Sequence, residues 1–133
     1  MSSLNAFLHT VQAENREVIV SNRFQENGKP VPFVIRPITQ QENEEFIRKH
    51  TKRDKKGNEV FDRINYNREL TATAVVEPDL NNADLQKRWG TLGAPKTLAK
   101  MLYVGEFATL MQAALDLSGL DKDINEDIEE AKN

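Results

Sequence analysis

The chain reads as an α+β fold, with an N-terminal β-hairpin or small antiparallel sheet packed against a mainly helical remainder of about five or six short helices. Three observations predict it. Asn27-Gly28 separates two runs rich in β-branched residues, Glu17 to Phe24 and Val31 to Ile38, and both turn residues tolerate the positive φ that a two-residue hairpin loop requires. Thr39-Gln40-Gln41-Glu42 follows as a T-x-x-E capping box, where the apolar period switches from that of a strand to that of a helix. Last, Phe107, Leu110, Met111, Ala114 and Leu117 recur at spacings of three and four, and Gly119 follows as the left-handed stop.

Composition bounds the rest. A chain of 133 residues is read as a single domain over residues 1–120, with residues 121–133 as an acidic, flexible tail or a frayed helix. A net charge of −3 argues against a general nucleic-acid binder and against a strongly anionic membrane partner. With no cysteine, disulfides, thiolate catalysis and cysteine metal sites are excluded. No run approaches the length of a membrane span, and the first residues, MSSLNAFLHTVQAENRE, lack the basic and apolar regions of a secretory signal. A cytoplasmic location is therefore expected.

In chain order, Leu4, Phe7, Leu8 and Val11 form a helical stripe from about Ser3 to Gln12, with Ser2 or Ser3 as cap and His9 as a surface residue. The hairpin comes next. Pro30 and Pro32 cannot donate to a ladder, so its second strand is expected at an edge or with an irregular start. The capping-box helix runs to about His50 with Phe46 and Ile47 as apolar anchors. Arg48 to Lys56, RKHTKRDKK, reads as an exposed loop. It lacks the aromatics of a nucleic-acid surface, and His50 has no partner at metal-ligand spacing. Ile64 to Val76 is ambiguous, since its threonines and valines suit a strand while Tyr66, Leu70 and Ala74 recur at helical spacing; helix is preferred, with Asp62 or Asn65 as cap. Asn81 or Asn82 caps a short helix closed by Gly90, on which Leu85 and Trp89 share a face, and Pro95 opens another through Met101 or Leu102.

The final helix has Gly105 as an acceptable N-cap and Glu106 in its first turn. Burying four large side chains of its face is worth about 6–12 kcal/mol before entropy, comparable with the whole stability of a small domain. That face must be covered, either by the chain's own core or by a partner. No reactive constellation competes with an interaction role. There is no serine–histidine–aspartate signature and no His-x-x-x-His. The string G-A-P-K-T lacks the glycines and the preceding strand of a phosphate loop. No catalytic, cofactor-binding or metal-ligating residue is assigned.

The pieces LNAFL, EVIVSNRFQENGKPVPFVIRPIT, QQENEEFIRKHT, the FD-then-helix segment ending AVVEPDL, NNADLQKRWGTLGAPKTLAKML and VGEFATLMQAALDLSGL follow one another along nearly the whole chain. In that order they resemble the tail assembly chaperone family of tailed phages, in the branch found in PBSX-like defective prophages of Bacillus. One departure is that Val104-Gly105 stands where a proline is common before the last helix. The resemblance implies a protein that binds the tape measure protein, keeps that long helical chain soluble, and is displaced before the tail is finished. It also implies recruitment of tail tube protein through a longer frameshifted form. Self-association is a further expectation. Phe107, Leu110, Met111, Leu115 and Trp89 are the expected partner-binding residues. The alternative is a structural tail completion or baseplate protein retained in the virion.

Overall fold

In the computed structural model, which describes residues 3–120, the N-terminal stripe makes only a short helix, α1 (Leu4–Leu8), instead of a helix reaching Gln12. None of its residues is buried, and Ser3 makes no side-chain cap bond. A helix this short has no intrinsic stability, and without a surface to pack on the stripe cannot hold a further turn. The N-terminal strand is also shorter than expected: β1 covers Arg16–Val18. The turn forms as read, through Asn27 at φ 54° and Gly28 at φ 78°, but the short strands it joins, β2 (Gln25–Glu26) and β3 (Lys29–Pro30), lie between the two expected runs, Glu17 to Phe24 and Val31 to Ile38.

Of the two expectations for the second strand, β4 (Phe33–Ile35) meets the irregular start and not the edge position. It is the central strand, because Pro30 and Pro32 lie ahead of the paired run and leave its own N–H groups free for two neighbours. Helix α2 (Gln40–Lys49) starts at the predicted box: the Thr39 hydroxyl accepts from the Glu42 N–H at 3.2 Å, and the Glu42 carboxylate accepts from the Thr39 N–H at 3.1 Å. Phe46 is half-buried, while Ile47 is exposed. The basic stretch is exposed but is not a loop. Strand β5 (Thr51–Arg53) pairs antiparallel with β6 (Glu59–Phe61), and the Asp54 carboxylate accepts the N–H groups of Lys56 and Asn58 at 2.9 Å to close the turn.

The ambiguous stretch resolves into both structures. Helix α3 (Arg63–Ala74), capped by the Asp62 side chain, ends where β-branched residues begin, and β7 (Val75–Glu77) continues directly. The three-stranded antiparallel sheet has the order β1-β4-β7, with Val18 opposite Phe33, Val34 opposite Glu77 and a register shift between Val34 and Ile35. Helix α4 (Ala83–Trp89) is capped by Asn82 and stopped by Gly90 at φ 66°. Helix α5 (Ala94–Met101) carries Pro95 in its first turn. Helix α6 (Val104–Leu117) begins one residue before Gly105, so the N-cap is Tyr103 and not the glycine.

Helix α3 packs against α2, α5 and α6. The core is built from Phe33 and Ile35 of the sheet, Ala74, Leu98 and Leu110. The acidic segment 121–133 lies outside the described residues. Among the described residues, no helix is long and apolar enough to cross a membrane.

Two substitutions test this core in opposite directions. Leu98 is fully buried, so Leu98→Ala should lower the unfolding free energy by about 2–5 kcal/mol. Thr71 is also fully buried, and its hydroxyl has no hydrogen-bond partner among the described residues. Thr71→Val keeps the shape, removes the unsatisfied group and should raise stability by about 1 kcal/mol. Urea unfolding reads both.

Candidate protein-binding surface

The corner between α5 and α6 is set by backbone and charge together. Leu102 and Tyr103 are both extended, so the chain leaves α5 and re-enters a helix within two residues. Glu106 sits in the first turn of α6, and its carboxylate accepts the Tyr103 N–H at 2.8 Å. The same carboxylate takes both arms of Arg23, Nε at 3.0 Å and Nη2 at 2.5 Å. Arg23 Nη2 also donates to the Met101 carbonyl at 2.8 Å, and the guanidinium lies 4.1 Å from the Tyr103 ring centroid. Arg23, from the turn after β1, thus fastens the sheet side of the molecule to the end of α5 and the start of α6. Its forked hydrogen bonds pull the Glu106 carboxyl down to about 2.

With the corner held, three apolar side chains face outward: Val104 is 90% exposed, Tyr103 68% and Ile64 66%. They line a groove of about 280 Å³ between α3, α5 and α6, with Leu102 and Phe107 at its base. A wider hollow of about 660 Å³ lies between the β2–β3 hairpin and α4, lined by Phe24, Val31, Phe33, Leu85 and Met101. A third, of about 220 Å³, holds Leu115 beside Ile38, Leu70 and Leu120. The far end of α6 is tied down there. Ser118 Oγ donates to the Ala114 carbonyl and accepts the Ile38 N–H, at 2.7 and 2.8 Å. Gly119, at φ 89°, lets its own N–H and that of Leu120 return to the carbonyls of Asp116 and Leu115.

The five residues singled out from the sequence do not form one patch. Leu110 is fully buried and belongs to the core, so it offers a partner no area in this conformation. Phe107 is half-buried at the corner groove, and Met111 is half-buried one turn on. Leu115 lies two turns from Phe107, roughly 12 Å along the axis, in the third hollow. Trp89 is half-buried on α4 with the Arg88 guanidinium 4.5 Å from its ring centroid. Sequence reasoning missed Ile64, Tyr103 and Val104. The available signal was Glu106 at the third helical position, which makes Tyr103 the cap and Val104 the first residue of the helix, outside the core stripe.

Among the described residues, no group of three or more His, Asp and Glu is placed to hold a metal ion. His50 finds a partner the sequence did not reveal, Glu69, at 2.8 Å, and Lys49 reaches the same carboxylate at 2.9 Å. What the geometry does present is apolar grooves on a braced helical frame, the features of a protein-binding module. The model of the XkdN-like phage tail assembly chaperone family matches residues 4–132, and the chain belongs to that family. It is 28% identical over 130 residues to the phage-like element PBSX protein XkdN of Bacillus subtilis (strain 168), a match spanning 93% of this chain and 88% of that protein. It is 29% identical over 128 residues to the B. subtilis protein YqbN, spanning 92% and 85%. The crystal structure of YqbN superposes with a TM-score of 0.77 at 24% identity, covering 91% of this chain and 99% of that one, so the fold is shared.

The two bridged carboxylates make stability pH-dependent. Arg36 holds Glu42 down to about 2, as Arg23 holds Glu106, both from an ordinary value of 4.5. A carboxyl depressed in the folded state stabilises the fold above its unfolded value. That contribution should therefore be intact above about pH 4.5 and lost as pH falls through about 2. Unfolding midpoints measured across this window should fall steadily in acid. Glu106→Gln should lower the neutral-pH midpoint and flatten the slope.

Proposed function

We propose that this chain acts during tail assembly by binding the tape measure protein, keeping it soluble and helping to recruit tail tube subunits, and that it leaves before the tail is complete. Membership of the tail assembly chaperone family supports the setting. The observation that carries the binding role is the corner groove, where Ile64, Tyr103 and Val104 expose apolar surface on a braced support. A long amphipathic helix has an apolar stripe to cover until its tube forms, and a groove of this kind accepts such a stripe. Phe107 supplies the base of the contact and Met111 continues it by one turn, while Leu115, in the separate hollow at the far end of α6, and Trp89 on α4 are further points of contact. The contacts are modest individually, which suits a partner that must be released.

Co-expression with the tape measure protein tests this. Ile64→Asp together with Val104→Asp should leave the chaperone folded, since both side chains are exposed. Recovery of tape measure protein should drop roughly tenfold, the equivalent of about 1.4 kcal/mol. Undiminished recovery with a folded variant would remove the groove from the contact. Mass spectrometry of completed tails should find no peptide of this chain; stoichiometric amounts there would make it a structural component.

A further inference from the structure

The helices that form the corner groove differ in charge. Helices α3 and α5 together hold four bases, Arg63, Arg68, Lys96 and Lys100, against a single acid, Glu69. Glu69 is already engaged by Lys49 and His50. Asp62, just ahead of α3, accepts the Asn65 N–H at 3.1 Å as its cap. On the α6 side, Glu106 is held by Arg23. None of the four bases enters an ion pair among the described residues. The whole chain carries −3, so this positive excess is local.

Arg63 lies over the Phe61 ring at 5.6 Å, but Arg68 lines the groove itself, one turn after Ile64, and it is half-buried there. It is the one charged residue in a lining that is otherwise apolar apart from Asn67 and the Tyr103 hydroxyl. Ala99 lines the groove from α5, with the exposed Lys100 next to it in the chain. A helix seated on Ile64, Tyr103 and Val104 would shut the remaining water away from Arg68. A guanidinium taken out of water without a partner costs more than the adjoining apolar contacts return, whereas one met by a carboxylate is compensated. Arginine suits that pairing, because its planar fork donates two parallel bonds to one carboxylate.

We propose that the corner groove selects an amphipathic helix whose apolar stripe is flanked on one side by carboxylates, and that Arg68 is the residue that selects them. This selection rests on the helix-binding role proposed above, and it adds which stretches of a long helical partner are accepted. Stretches with acids beside the stripe pair with Arg68. Stretches flanked by lysine are turned away by like charge and by the desolvation of an unpaired arginine.

Two synthetic peptides of about 20 residues, long enough to be helical, serve as probes. Both carry the same leucine stripe at spacings of three and four; one has glutamates along a flank of the stripe and the other has lysines there. Titrated into isotope-enriched full chain at low salt, both should shift the amide signals of Ile64, Val104 and Phe107. The glutamate peptide should bind about tenfold more tightly, as expected of a favourable pair set against a like-charge one. That preference should fade at about 1 M NaCl, where the screening length is roughly 3 Å. It should drop to about twofold in Arg68→Gln, which keeps a polar side chain but removes the charge. Equal or reversed affinities, with both peptides lost when Ile64→Asp is combined with Val104→Asp, would overturn the charge selection and leave the groove as a helix acceptor. A full preference surviving Arg68→Gln would overturn the assignment to Arg68. Should neither peptide shift these signals, the groove accepts no helix and the selection falls with it. A glutamate preference read by Arg68, alongside undiminished recovery of tape measure protein by the doubly substituted chain, would uphold the selection and put the tape measure contact elsewhere.

Discussion

Helix α3 passes into strand β7 between Ala74 and Val75 with no residue between them, and most of the architecture follows from that junction. A helix end leaves carbonyls without intrahelical donors. Here the Ala74 carbonyl is taken by the Arg36 N–H at 2.8 Å, just past β4, so the end of the helix is satisfied by the sheet. Val75 then registers with Ile35 and Glu77 with Val34, which puts β4 in the middle. Ala72 and Ala74 are small and buried, so the helix layer and the sheet approach closely at this point. Helices α5 and α6 pack against α3, so their placement depends on the same connection.

The α5–α6 corner uses one carboxylate for several unsatisfied groups at once. Glu106 covers a backbone N–H at the start of α6 and neutralises Arg23, while Arg23 covers a backbone carbonyl at the end of α5. Charge-assisted bonds that also satisfy helix ends hold geometry better than isolated surface pairs do. The apolar side chains of the groove therefore project from a fixed turn. A surface held this way loses less conformational freedom on contact than a mobile loop would.

The features legible in the sequence were those closed within a few residues. Thr39, Asp62 and Asn82 cap their helices through the N–H three positions on, and Gly90 and Gly119 stop theirs in the left-handed region. Asn27-Gly28 turned the hairpin for the same reason. What escaped was set by partners far along the chain. The pairing of β7 with β4 joins residues some forty positions apart in sequence, and the Arg23–Glu106 pair spans 83. The β5–β6 hairpin had a local signal in Asp54 and Gly57, but β5 is all polar and the two apolar residues of β6, Val60 and Phe61, are adjacent, so no apolar alternation marks the strands. The helical face of α6 was found correctly, yet periodicity cannot tell which apolar residues stay covered; Leu110 went inward, and Val104 stayed outside the stripe altogether.

Magnitudes then constrain how such a surface can work in the proposed role. Three exposed side chains, Ile64, Tyr103 and Val104, offer roughly 5–9 kcal/mol if fully buried by a partner. Association alone costs about 4–15 kcal/mol in lost freedom. In that role one chain on one stretch of helix would be held weakly, and its departure would need no dedicated machinery. A very long helical partner, however, presents many such stretches. In the proposed role, copies bound side by side would shield it collectively, while each would remain individually replaceable by a subunit that buries more of the same stripe. Weak single contacts and complete coverage are then compatible demands, and a groove this shallow satisfies both.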